Sequence, residues 1–87
     1  MYFIYCYVPE SHLEIVKQAL FDAGAGQIGN YKQCCWQTEG TGQFYSDQQA
    51  QPFIGKTREL TTMTEYKIEI ACHADYIDAA KDALLRT

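Results

Sequence analysis

The chain is 87 residues long, has a formal net charge of −4, and is 47% hydrophobic and 14% aromatic. That size makes one domain, spanning residues 1–87, with a modest core, and the apolar share is that of a packed protein. The Lys and Arg residues are scattered from Lys17 to Arg86 without a basic stripe, which argues against nucleic acid and against an anionic membrane surface as partners.

Tyr2 to Val8 reads as a first strand. Tyr2, Ile4, Cys6 and Val8 share one face, and Phe3, Tyr5 and Tyr7 share the other. Both faces are largely apolar, so the strand is expected to be central or covered on both sides. Pro9 ends it. This opening lacks the basic start and the small-residue cleavage site of a signal peptide. No apolar run approaches the roughly 18 residues that would cross a bilayer. The expected location is therefore cytoplasmic, with the four cysteines reduced.

Ser11-His-Leu-Glu14 has the form of a capping box. Behind it Leu13, Val16, Leu20 and Ala23 fall at helical spacing, predicting a helix from about His12 to Ala23. Gly24 should end that helix in a left-handed conformation. Ile28 to Thr38 reads as a second strand. Glu39-Gly-Thr-Gly42 reads as a turn, with Gln43 to Tyr45 returning as a short strand to make a hairpin arm. Ser46 to Gln51 is polar and expected to be a mobile loop, and Pro52-Phe-Ile-Gly55 an apolar anchor. Glu59 to Cys72 reads as a long strand, with Tyr66, Ile68, Ile70 and Cys72 on its buried face. Asp75 is the expected cap of a second helix, whose stripe is Ile77, Ala80 and Leu84.

Strand, helix, strand with an arm, strand, helix is the order of an α+β, ferredoxin-like βαββαβ sandwich that lacks its last strand. Such a sheet would be mostly antiparallel, with both helices on one face.

The ordered series GAGQIGNYKQCCWQTEGTGQF, from Gly24 to Phe44, followed by PFIG from Pro52 to Gly55, resembles the CutA-like (PII-like) insert of the YqfO-type, Nif-three-like family. The likeness extends over the opening YFIYCYVPESHLEIVKQAL. It implies a ferredoxin-like fold and homo-oligomerisation. Full-length members of that family carry their dinuclear metal ligands in a separate, larger domain, so no metal centre and no cofactor is carried over. Members usually continue past the second helix with a final strand. Without it, the edge beside Tyr2 to Val8 would be unpaired.

For chemistry, several readings stand side by side. Gly24-Ala-Gly26 is a helix C-cap or a set of amides for an anion, but the carboxyl end of a helix repels anions. Gly40-Thr-Gly42 is a hairpin tip or a ligand-contacting loop; no P-loop is present. Cys6, Cys34, Cys35, Cys72, His12 and His73 are the soft or borderline metal ligands. Adjacent Cys34–Cys35 and Cys72–His73 diverge on a strand, so a tetrahedral site would need convergence from distant segments. A Cys–His nucleophile pair, Cys34 or Cys35 with His73, would need an electropositive setting; Glu39, Glu65 and Glu69 oppose it. The chain is read as a non-enzyme. Trp36, Tyr31, Phe44, Phe53 and Tyr66 are either core beneath the arm or a pocket or subunit interface.

Two functional expectations follow. The first is a non-enzymatic oligomerisation or regulatory module, with Gly26, Gly29, Asn30, Tyr31, Trp36, Gly40, Gly42, Phe44, Phe53 and Gly55 as ligand or interface candidates. The second is a small-ligand or metal-ion binding protein in the style of CutA and PII, with Cys34, Cys35 and His73 as metal candidates.

Overall fold

The computed structural model describes residues 1–47 and 58–87. Its elements run β1 (Tyr2–Pro9), α1 (Leu13–Asp22), β2 (Trp36–Ser46), β3 (Glu59–Cys72) and α2 (Ile77–Leu85), with short 3-10 turns at Glu10–His12 and Ala74–Tyr76. The strands form one antiparallel sheet in the order β1-β3-β2. Both helices cover one face of it, and the architecture is α+β.

The core lies between that face and the helices. Leu13, Val16 and Leu20 of α1 and Ala80 of α2 are buried with Val8, Ile68, Ile70 and Cys72. The alternation read in β3 thus holds, with Tyr66 half-buried at its end. Ala71, which alternates onto the opposite face, is buried too.

Helix α1 ends as its glycine requires. Gly24 has φ +107°. Its N–H donates to the Phe21 carbonyl at 3.0 Å, and the Ala25 N–H donates to Leu20 at 3.0 Å, which is a Schellman closure. The start of α1 differs from the capping box. The Ser11 hydroxyl lies 2.8 Å from His12 Nδ1, and no side chain caps the helix. Glu14 instead accepts from Lys17 at 3.2 Å. A 3-10 turn after Pro9 places Ser11 inside the helical entry and not at its cap. At the second helix, too, Asp75 is not the cap. The His73 Nδ1 accepts from the Asp75 N–H at 3.1 Å, and a 3-10 turn precedes α2.

The expected strand from Ile28 is not formed. Residues Gly24–Cys35 make a compact loop. The Gly26 N–H donates to the Ala71 carbonyl at 2.8 Å, and the Gly26 carbonyl accepts from Cys34 at 2.9 Å. Ile28 and Tyr31 exchange both backbone bonds around Gly29, and Gly29 and Gln33 sit at positive φ, which breaks any extended run. Only at Trp36 does β2 begin.

It then runs straight through the expected turn. Gly40, Thr41 and Gly42 pair with Glu65, Thr64 and Met63, and Gln43–Tyr45 continue in the same direction opposite Thr62–Leu60. Glycine permits a turn but does not compel one, and here a full ladder to β3 satisfies the backbone. The arm is therefore the β2–β3 hairpin itself. Beyond the pair Pro9–Glu65, where β1 stops, it continues as a two-stranded ribbon. The Cα radius of gyration of 15.3 Å exceeds the about 12 Å of a compact chain this long. Residues 48–51 of the expected loop, and the Pro52–Gly55 anchor, lie outside the described residues.

Among the described residues strand β1 is an edge strand, not a central one, and only one of its faces is covered. The reason is topological: among those residues β3 is the strand that pairs with it.

Candidate interaction surface

The uncovered face of the sheet carries the residues that stand out chemically. Register places Tyr5, Glu69 and Trp36 side by side in one row, and Tyr7, Lys67 and Thr38 in the next. Phe3, Tyr5, Tyr7 and Trp36 are 72%, 64%, 64% and 66% exposed. Four large rings on one solvent-facing surface are not what a folded monomer needs for its own stability.

Polar contacts hold this surface in place. The Lys67 ammonium lies 5.2 Å from the centre of the Tyr5 ring, a cation–π distance. It also lies 3.4 Å from Glu69 Oε1. The Trp36 indole N–H donates to the Thr38 hydroxyl at 2.8 Å, so the ring is oriented and not merely exposed. Two depressions flank the rings. One, of about 460 Å³, is lined by Tyr7, Thr38, Glu65 and Lys67 and floored by Gly40 and Gly42. The other, of about 380 Å³, is lined by Phe3, Ile28, Cys34, Cys35, Trp36 and Ala71.

The expected site residues separate. Trp36, Gly40 and Gly42 lie on this face. Gly26 is buried in the loop, where its backbone ties β3 to Cys34. Gly29, Asn30 and Tyr31 are exposed on the loop, and Phe44 sits out on the arm. Tyr66 faces the helices. Of the expected aromatic group, Trp36, Tyr31, Phe44 and Tyr66 do not form one patch, because Tyr31 lies on the loop and Tyr66 faces the helices; Phe53 and Gly55 lie outside the described residues. Trp36 instead joins Phe3, Tyr5 and Tyr7, which sequence reasoning assigned to a covered strand. Their signal was present: every second residue of the strand from Phe3 to Tyr7 is aromatic, and none of that row is aliphatic.

The metal and nucleophile candidates are not brought together. Cys34 and Cys35 line one depression, whereas His73 lines another with Gln27, Gly29, Asp75 and Tyr76. Among the described residues no group of three or more His, Cys, Asp or Glu side chains is placed to hold a metal ion. Burial pushes the thiols of Cys6 and Cys72 up, away from nucleophilic use. The Tyr66 hydroxyl is raised as well, by burial first and then by the negative charges of Glu39 and Glu10. Among the described residues no helix is long and apolar enough to cross a membrane.

A crystal structure of a Bacillus cereus protein related to NIF3 superposes on 97% of this chain with a TM-score of 0.76 and 34% identity. The chain is homologous to a segment of the NIF3-related proteins. The match covers 20% of that longer chain. Among curated NIF3-type relatives, the GTP cyclohydrolase 1 type 2 homolog of Mycobacterium tuberculosis is 41% identical over 68 residues, 78% of this chain and 18% of its own length. The Bacillus subtilis homolog is 37% identical over 81 residues, 93% and 22% of the two chains. The chain thus spans about a fifth of the length of these NIF3-related proteins. No protein-family model matches it.

Proposed function

We propose that this NIF3-related segment is a non-enzymatic association module that self-assembles through its sheet, working in the cytoplasm. The observation that carries the reading is the uncovered sheet face, on which Phe3, Tyr5, Tyr7 and Trp36 stand exposed. Aromatic residues give large contact areas at low entropic cost and are enriched in interfaces. The strand order β1-β3-β2 with two helices on one face supports a ferredoxin-like frame, in which the bare face is available for contact. The relatives' name speaks of GTP cyclohydrolase, a name that belongs to proteins about five times as long as this chain.

Native mass spectrometry tests the reading. The wild-type chain is expected to appear as a multimer, and the double variant Tyr5→Ser/Trp36→Ser as a smaller species with unchanged circular dichroism. A wild-type chain that stays monomeric at about 100 µM, a concentration at which even a micromolar interface is filled, sinks the reading.

A second reading, binding of a small molecule, has one observation in its favour. The depression over Gly40 and Gly42 places Lys67 and Glu65 beside the Tyr7 ring, and pockets combine apolar walls with a few polar groups in this way. Reproducible extra mass on the native ion would support it.

A further inference from the structure

We infer that the depression over Gly40 and Gly42 takes a small organic cation, a primary alkylammonium, seated between the Tyr7 ring and the Glu65 carboxylate. The inference rests on the small-molecule reading and names its ligand class.

The sheet already contains one such seat, filled by the chain itself. The Lys67 ammonium lies 5.2 Å from the centre of the Tyr5 ring and 3.4 Å from Glu69 Oε1. A ring from β1 and a carboxylate from β3 thus hold one cation between them. The same two groups recur towards the arm. Tyr7 follows Tyr5 on one face of β1. Because Tyr7 pairs with Lys67 and Pro9 with Glu65, Glu65 is the diagonal neighbour of Tyr7, as Lys67 is of Tyr5. Diagonal neighbours are within reach of rings and long side chains. This second ring and carboxylate hold no cation. Lys67 stands between Glu65 and Glu69 on β3 and is turned to Glu69. Among the described residues no side chain forms an ion pair with the half-buried Glu65.

Two glycines make room for the ligand. A Cβ on Gly40 would meet nothing within 4 Å, and Gly42 lies under the Glu65 carboxyl group. The depression above them, about 460 Å³, is of the size that small molecules occupy. Charge then decides the class. Glu39, Glu65 and Glu69 line the depression, with Lys67 as the cation among its lining residues. Lys67 is engaged by Glu69, so an anion would meet carboxylates and no available ammonium. A neutral ligand would cover Glu65 and leave its charge without a partner, which is costly. A cation pairs with Glu65 and gains the face of the Tyr7 ring, 64% exposed, as a cation–π contact. An ammonium has three donors. The Thr38 hydroxyl accepts from the Trp36 N–H and keeps a second lone pair for one of them.

Backbone amide NMR of the full chain at neutral pH tests the inference, with pentylammonium, 1-pentanol and pentanoate as probes of equal length and different charge. Pentylammonium is expected to shift the Gly40, Gly42 and Glu65 amides saturably, and to bind at least about threefold more tightly than the other two. Glu65→Gln and Tyr7→Leu should each weaken it by about three- to tenfold. The amides remote from the depression should stay in place, so that each variant reports its contact and not its fold. If pentanol binds as tightly as pentylammonium, or pentanoate more tightly, the cationic class is wrong while the small-molecule reading stands. Pentylammonium binding that Glu65→Gln leaves unchanged, or that shifts other amides instead, overturns the seat. If no probe shifts these amides the inference falls, and the native mass of the chain as isolated still decides the reading it rests on.

Discussion

The carboxyl group of Glu65 lies across the backbone of Gly42, although the two are not register partners: Gly42 pairs with Met63, and Glu65 with Gly40. A Cβ built on Gly42 would come within 2.6 Å of the Glu65 carboxyl carbon, and closer still to its oxygen. The missing side chain thus gives Glu65 its resting place and opens the floor of the larger depression. Gly40 meets nothing within 4 Å, so the tolerance of the two glycines should differ in mechanism.

Gly42→Ala displaces the far end of a flexible, solvated side chain, which costs little. Alanine is favoured over glycine in a strand by roughly 0.5–1 kcal/mol. The variant is expected to be neutral or slightly stabilising in urea titration, with Glu65 moved and the depression partly filled. A loss above about 1 kcal/mol, the size of a typical destabilising point mutation, would mean that Glu65 is held where it lies.

Gly24→Ala is expected to behave oppositely. Here the added Cβ would approach the Tyr76 ring to 2.7 Å, and φ is +107°. Strain of this kind costs about 1–3 kcal/mol before any clash is counted. Combining it with Tyr76→Ala should recover the clash but not the backbone strain. Urea midpoints of the single and double variants separate the two contributions.

Helix α1 offers an internal comparison. Leu20 is completely buried and Ile15 is 60% exposed. Leu20→Ala should cost about 2–5 kcal/mol, a large part of the stability of a chain this small. Ile15→Ala should stay within about 0.5 kcal/mol. Equal losses at the two positions would place the core on the wrong side of the helix.

Alkaline pH should weaken the fold. Cys6, half-buried, and Cys72, buried, titrate above their ordinary value of 9.0 because burial disfavours the thiolate, and Tyr66 titrates above 10.0. Above about pH 9 the unfolded chain has lost thiol protons that the folded chain still holds. Stability contributed by these groups is complete below pH 9 and is lost as pH rises towards their folded values. Urea midpoints at pH 8 and pH 10 should fall in that order, and Cys72→Ala should make the decline shallower. A flat profile to pH 10 would contradict the burial of these thiols.

Much of the secondary structure was legible from local pattern. The course of β3 was readable because Tyr66, Ile68, Ile70 and Cys72 alternate with Glu65, Lys67, Glu69 and Ala71. The end of α1 was readable because Gly24 is the residue that can take the left-handed cap. Local pattern failed where two outcomes share one chemistry. Gly40 and Gly42 suit a turn, yet the ladder to β3 holds them extended. Ile28 to Tyr31 suits a strand, yet Gly29 and the backbone bonds of Gly26 fold it into a loop. Ser11 and Asp75 suit caps, yet short 3-10 turns shift each helix start away from them.

The sequence by itself determined which segments are amphipathic, where glycine must end a helix, and that the chain is kin to a piece of a longer family. Those properties depend on spacing within a few neighbouring residues. Only the tertiary structure decided that β1 lies at an edge, that Trp36 stands beside Tyr5 across β3, and that Cys34 and His73 occupy separate depressions. Strand order and register bring together residues distant in the chain. Whether an apolar row is buried or exposed depends on which neighbour covers it, and that is not written in the row itself.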